Sequence, residues 1–274
     1  MRLLLDQIGR LLRRPASWVT FGLVAGLMSF VFVVIGATAR TLQDGQGSGA
    51  VLAILTFPGA YDAVLGFLVG LGGLLAVIYG AAVAGSEWTW GTLKNAVARG
   101  ESRAGYVVAL FAAIAVVLAL GLVLAMAVGV AAAVIGATLA GIPTDAVGDA
   151  ATLSALPEKL ARGWLGIAQA GAIGFAIATL TRSQLAGIGV GIATYFGEQF
   201  STIFFPDIVK YLPFHAAEAV LGVTPGFGDG GPRGPGGPAP AQLPADVALV
   251  VVIVWLIGAV AFSAVVTQRA EISG

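Results

Sequence analysis

Cysteine is absent from the 274 residues, which excludes disulfides and thiolate metal sites and leaves the redox compartment unreadable. Charge is scarce as well. Only 10% of residues are charged, against about a quarter in soluble domains. A chain so poor in charge cannot keep a surface wet, and with 58% hydrophobic content it reads as an integral membrane protein. Fourteen basic and fourteen acidic residues cancel, so nothing favours nucleic acid as a partner. A single histidine, His215, and no dense carboxylate cluster leave little for a metal centre. There is no Gly-x-x-x-x-Gly-Lys-Ser/Thr pattern. Gly187, Gly189 and Gly191 lie in an apolar run with no preceding strand, so they are not a nucleotide loop.

What is present is apolar length. A helix needs about 20 apolar residues to cross the hydrocarbon, and six stretches qualify: Trp18–Ala39, Tyr61–Ala84, Tyr106–Val134, Trp164–Leu180, Leu185–Phe204 and Val247–Val266. The third belongs to a run reaching Gly141 and is either a long tilted helix or one that projects outside. The expected fold is therefore all-α, a single polytopic membrane domain over residues 1–274 with six transmembrane helices. Orientation follows lysine and arginine. With the N-terminus inside, nine basic residues, including Arg2, Arg10, Arg13, Arg14, Lys94, Arg99 and Arg103, are cytoplasmic. Five are external: Arg40, Lys159, Arg162, Lys210 and Arg233. Both ends are expected in the cytoplasm. The first apolar run follows Arg13 and Arg14 and ends near Ala37-Thr38-Ala39, which imitates a signal peptide. At about 22 residues it is longer than the usual h-region, and it is read as a membrane helix.

The polar pieces between spans carry the functional information. Residues 1–16 place Leu4, Ile8, Leu11 and Leu12 at helical spacing among Asp6, Gln7, Arg10, Arg13 and Arg14. This suits an amphipathic helix in the cytoplasmic interface, or a topology signal alone. The segment 85–104 interrupts two spans. Ser86 is a good N-cap, Glu87 suits a first turn, Gly100 a C′ position, and Trp90, Leu93 and Val97 share a face. The pattern predicts a cytoplasmic helix of about three turns that is either an interfacial helix anchored by Trp88 and Trp90 or a docking helix for a soluble partner.

Residues 205–246 read as external. Two short helical patterns containing Tyr211, Pro213, Phe214 and His215 suit a re-entrant pair or an interfacial lid. From Pro225 to Pro240, twelve of sixteen residues are glycine or proline, a flexible linker composition. Within the spans, Glu198 is the clear ionisable residue, followed by Gln199, and Gln169 is a weaker candidate. An acid there should face protein or an aqueous path. It serves either a gate or pathway or a structural hydrogen bond. The pairs Gly22/Gly26, Gly66/Gly70 and Gly187/Gly191 have helix-contact spacing.

Glu87-Trp88-Thr89-Trp90-Gly91-Thr92-Leu93-Lys94, followed by Arg99 and Ser102-Arg103, resembles a recurrent signature of ABC-2 type permeases, the membrane subunits of ATP-binding cassette exporters. The bacitracin- and lantibiotic-export branch is most similar. The resemblance extends over nearly the whole chain as a plan of helices but is specific only over Glu87–Arg103, and the insert at 225–240 departs from it. It implies a coupling helix that docks Glu87, Trp88, Trp90, Gly91, Thr92, Leu93, Lys94 and Val97 onto a cytosolic ABC ATPase subunit. ATP and Mg would be bound by that subunit, with no cofactor and no catalysis on this chain. A second permease copy, or a homologous permease, would complete the path in a bacterial inner membrane, with efflux the implied direction. Two other classes stand beside it: an ion-coupled secondary transporter and a membrane scaffold without transport. No internal repeat supports the first of these.

Overall fold

The computed structural model describes residues 2–42, 52–98, 100–222 and 242–270. The insert at 225–240, which the composition marks as a linker, and Arg99 lie outside them. All regular structure among the described residues is helical. In chain order it comprises α1 (Arg2–Leu12), α2 (Pro15–Leu42), α3 (Gly59–Thr89), α4 (Thr92–Ala98) and α5 (Arg103–Ala140). A 3-10 turn at Asp145–Gly148 leads to α6 (Ala150–Thr181), α7 (Gln184–Ser201), α8 (Pro206–Val209), α9 (Pro213–Ala219) and α10 (Ala245–Arg269).

Five helices are long and apolar enough to cross a membrane: α2, α3, α5, α6 and α10. The fifth expected crossing, Leu185–Phe204, does not reach that standard. It forms α7, only 18 residues long, and Gln184, Glu198, Gln199 and four glycines dilute its apolar character. The third run is one straight-through helix of 38 residues, α5, near 57 Å at 1.5 Å per residue. The fourth begins 14 residues before its expected start, with Asp149 accepting the Thr152 N–H at 2.8 Å as N-cap.

The bundle has a centre and a rim. In α3 and α6, 67% and 78% of the most apolar window is buried, against 28% in α2 and 17% in α10. Glycine sets the α3–α6 distance. A Cβ on Gly174 would fall 2.0 Å from the Val77 carbonyl oxygen, and one on Gly80 would fall 2.1 Å from that of Gly171. The two backbones therefore touch, and dispersion between them replaces side-chain interdigitation. Gly36 and Gly136 bring α2 and α5 together in the same way. Of the pairs expected from spacing, Gly187 meets Ala178 and Gly191 meets Val77, whereas Gly22, Gly26 and Gly70 face open space. Spacing alone did not separate the contacts that form from those that do not.

Candidate functional site: two polar clusters at opposite ends of α3 and α7

The segment 85–104 does not form one amphipathic helix. Ser86 is not an N-cap: α3 runs on through it to Thr89 and closes with the Trp90 N–H on the Ser86 carbonyl at 3.0 Å. Gly91, at φ +65°, then breaks the chain, and a separate helix α4 begins at Thr92. Trp90 and Leu93 therefore sit on different elements, and the expected ridge of Trp90, Leu93 and Val97 does not exist. Leu93 and Ala96 are buried in the core, Val97 is half-buried, and Trp90 is 64% exposed. Gly100 does adopt the left-handed conformation expected of it, at φ +91°, and Ser102 caps α5.

Glu87 lies in the last turn of α3 and is 3% exposed. A carboxylate at a helix C-terminus opposes the macrodipole, and a buried one must be paired. The structure supplies both needs from four directions. Arg10 Nη2 stands 3.0 Å and Arg14 Nη2 3.1 Å from Oε1, while the Tyr106 hydroxyl donates to Oε2 at 2.5 Å. The Thr92 hydroxyl also donates to Oε2. Arg10 donates as well to Gln7 and to the Tyr106 oxygen. Arg14 reaches Ser86 Oγ at 3.0 Å and covers the Trp90 ring at 5.3 Å. One carboxylate thus ties α1, α3, α4 and the start of α5. Beside it, Arg182 caps α6 in a left-handed conformation and lies 5.2 Å over the Trp88 ring. Arg103 donates to the Ala270 carbonyl at 2.7 Å and holds the end of α10.

Glu87 is therefore an internal tie. Its carboxylate and the Leu93 side chain are turned away from any partner in this conformation. Sequence reasoning missed Arg10, Arg14 and Tyr106 as its ligands. The usable signal was the four-residue spacing of the two arginines beside a lone acid 73 positions on.

At the other end, Glu198 is buried and accepts from the backbone N–H of His215 at 2.6 Å, with His215 Nδ1 3.0 Å away. His215 is the third residue of α9, so Glu198 satisfies an orphan donor of a helix in another element. Phe214 packs under Tyr195 with centroids 4.9 Å apart, and the Tyr195 hydroxyl donates to the Gly70 carbonyl at 3.0 Å. Trp255 of α10 donates to the Tyr211 carbonyl at 3.0 Å, and buried Pro213 opens α9. Glu218, a carboxylate whose place in this cluster the sequence reading overlooked, feels both His215 and Gln199. Gln169 is elsewhere in α6, fully buried, and neither of its amide atoms has a partner among the described residues.

The Glu218 carboxyl is lifted above the ordinary carboxylate range by burial. His215 opposes the rise, Glu198 adds to it, and the Gln199 hydrogen bond opposes it. Tyr195 faces the same carboxyl. A folded value above the unfolded one favours the packed state below the ordinary range, and that contribution is lost as pH rises through the folded value. Protection factors over residues 213–221, with the base-catalysed intrinsic exchange rate divided out, should therefore fall as pH rises through that window, and Glu218→Gln should remove the step. A step that persists unchanged in Glu218→Gln would assign it to another group.

Compared with known proteins, the chain matches no family model and no curated relative.

Proposed function

We propose that this chain is the transmembrane subunit of an ATP-binding cassette exporter of the ABC-2 type, forming the substrate path and coupling it to a separate ATP-hydrolysing subunit. The observation that carries the reading is the Glu87 tie. A cytoplasmic element, α4, is joined through Thr92 and Glu87 to the ends of two long helices, α3 and α5, and to the amphipathic α1. Force applied to α4 is thereby passed to the bundle through charge-assisted bonds, which are stronger than neutral ones. This is the mechanical requirement of a coupling segment. The exposed Trp90, alongside α4, offers the partner its aromatic anchor.

In this reading α7 also crosses, which brings the crossings to six. Its 18 residues span roughly 27 Å, slightly short of a typical hydrocarbon core, and α8 and α9 form the re-entrant cap over its outer end. Both termini are cytoplasmic, the ATPase binds ATP and Mg, and two permease copies complete the path in a bacterial inner membrane. The Glu198–His215 contact then sits at the outer gate.

Trp90→Ala should weaken recruitment of the proposed cytosolic ABC ATPase subunit by roughly 30-fold, since truncating a central aromatic anchor costs about 2 kcal/mol. Affinity co-purification from membranes measures it, and a parallel thermal unfolding curve should be unchanged. Equal recruitment by the variant and parent would remove the docking role. The cluster of Glu198, His215 and Glu218 favours one second reading, an ion-coupled carrier. Transport by the purified chain alone, driven by a pH gradient and indifferent to ATP, would establish that reading instead.

A further inference from the structure

Between α2, α3 and α5, apart from both polar clusters, lies a groove with a cavity volume of about 70 Å³. Its floor has little bulk: Gly72 and Ala76 on α3, Gly121 and Ala125 on α5. A Cβ placed on Gly72 or Gly121 would meet nothing within 4 Å. The space above them is open, in contrast to the close backbone contacts at Gly80 and Gly174. Along α3 the groove runs from Leu68 to Tyr79, roughly 16 Å at the helical rise. Its walls belong to α2, α3 and α5, with Ile167 of α6 at its side, all apolar helices of membrane-crossing length.

The groove is polar at one end only. There the Ser17 hydroxyl donates to the Leu11 carbonyl at 2.7 Å and lies 2.8 Å from the Tyr79 hydroxyl, so the tyrosine donates to Ser17. Thr20 also lines the groove. Its hydroxyl has no hydrogen-bond partner among the described residues, whereas Thr138, Thr179 and Thr194 return theirs to the carbonyl four residues back. Arg14 is near enough to act electrostatically on the Tyr79 hydroxyl, though Glu87 already pairs it. Arg13 is not paired: its side chain is exposed and makes no ion pair among the described residues, four positions before Ser17.

An apolar slot, an unpartnered hydroxyl at its polar end and an unpaired guanidinium beyond match a single amphiphile with an anionic head. A helix from a second copy would instead present side chains along its whole length, with nothing to answer the free hydroxyl and guanidinium at one end. We propose that this groove binds one acyl chain of an anionic glycerophospholipid, with the ester region at Thr20 and the phosphate at Arg13. The site is independent of the export reading. It would hold a lipid at the α2–α3–α5 junction whether or not an ATPase is attached.

The full chain, purified in detergent and titrated with dioleoyl phosphatidylglycerol, is read by native mass spectrometry. Dioleoyl phosphatidylcholine is the zwitterionic probe, and light scattering reports the oligomeric state. Gly121→Leu and Gly72→Leu fill the slot from below without a backbone clash. Each should lower phosphatidylglycerol affinity by about tenfold or more, equivalent to about 1.4 kcal/mol, with an unchanged unfolding midpoint. Arg13→Gln together with Thr20→Val should reduce the preference for phosphatidylglycerol over phosphatidylcholine while leaving the slot intact. That pair decides the matter if both leucine variants fail to fold. Unchanged phosphatidylglycerol affinity in a folded leucine variant would overturn the proposal. Dissociation of a dimer by Gly121→Leu at unchanged lipid affinity would overturn it too, and would place a second copy in the groove. Unchanged lipid preference in the double variant would remove the headgroup site.

Discussion

Glu87→Ala is expected to destabilise the Glu87 end of the bundle by about 3–5 kcal/mol, the range for removing one partner from a buried ion pair. The loss comes less from the missing attraction than from what stays behind. Arg10 and Arg14 would remain beside each other with no counter-charge, the Tyr106 hydroxyl would lose its carboxylate acceptor, and Thr92 would keep only the Glu87 carbonyl at 3.4 Å. Helix α4 would keep its buried Leu93 and Ala96 but lose its polar tie to α3 and α5. Glu87→Gln should fall between parent and alanine, because the amide oxygen still accepts from one hydroxyl but carries no charge. Glu87→Leu combined with Arg10→Met and Arg14→Met should recover most of the stability, since a whole buried ionic cluster often exchanges for apolar groups at little net cost. Unfolding by sodium dodecyl sulfate in mixed micelles, followed by circular dichroism, orders these variants. A Glu87→Ala protein within about 1 kcal/mol of the parent would show that the network is too well hydrated to behave as a buried pair. Stability separates this role from docking: the Trp90 variant should lose the partner and keep the fold, while the Glu87 variant loses the fold first.

Gly174→Val is the second large effect. The new Cβ would stand 2.0 Å from the Val77 carbonyl oxygen and 2.8 Å from the carbonyl carbon. Both are backbone atoms, so no rotamer change relieves the clash and α3 must move off α6. These are the two most buried long helices, and their packing is the most extensive in the chain. At least about 3 kcal/mol should be lost, the upper end of the usual cost of overpacking. Gly22→Val is the matched control. Nothing lies within 4 Å of its Cβ, and its effect should stay within roughly 1 kcal/mol, the scale of glycine's propensity deficit in a helix. The same mixed-micelle titration compares the two. Equal midpoints would mean that the helices can separate freely, and the glycine contact would not be what sets their distance.

Composition and apolar length determined that the chain is a helical membrane protein. A run of 20 apolar residues has few other stable fates, and the hydrocarbon forces its backbone to pair within the segment. Helix punctuation was also local enough to read. Gly100, read as a C′ position, takes positive φ, because that conformation depends on one residue and its nearest neighbours. Residues 86–90 were misread for the same reason. Ser86 and Glu87 have the chemistry of a helix start, and periodicity cannot show that α3 arrives already helical and continues to Thr89. Only the folded chain brings Arg10 and Arg14 across more than 70 positions to neutralise a carboxylate that opposes its own helix dipole. Glycine shows the same limit. Forty glycines offer many pairs at contact spacing, and whether a given one meets a backbone, as Gly174 does, or open space, as Gly121 does, depends on which helix lies opposite. That choice belongs to packing between segments distant in sequence, and it decided both the Glu87 tie and the groove between α2, α3 and α5.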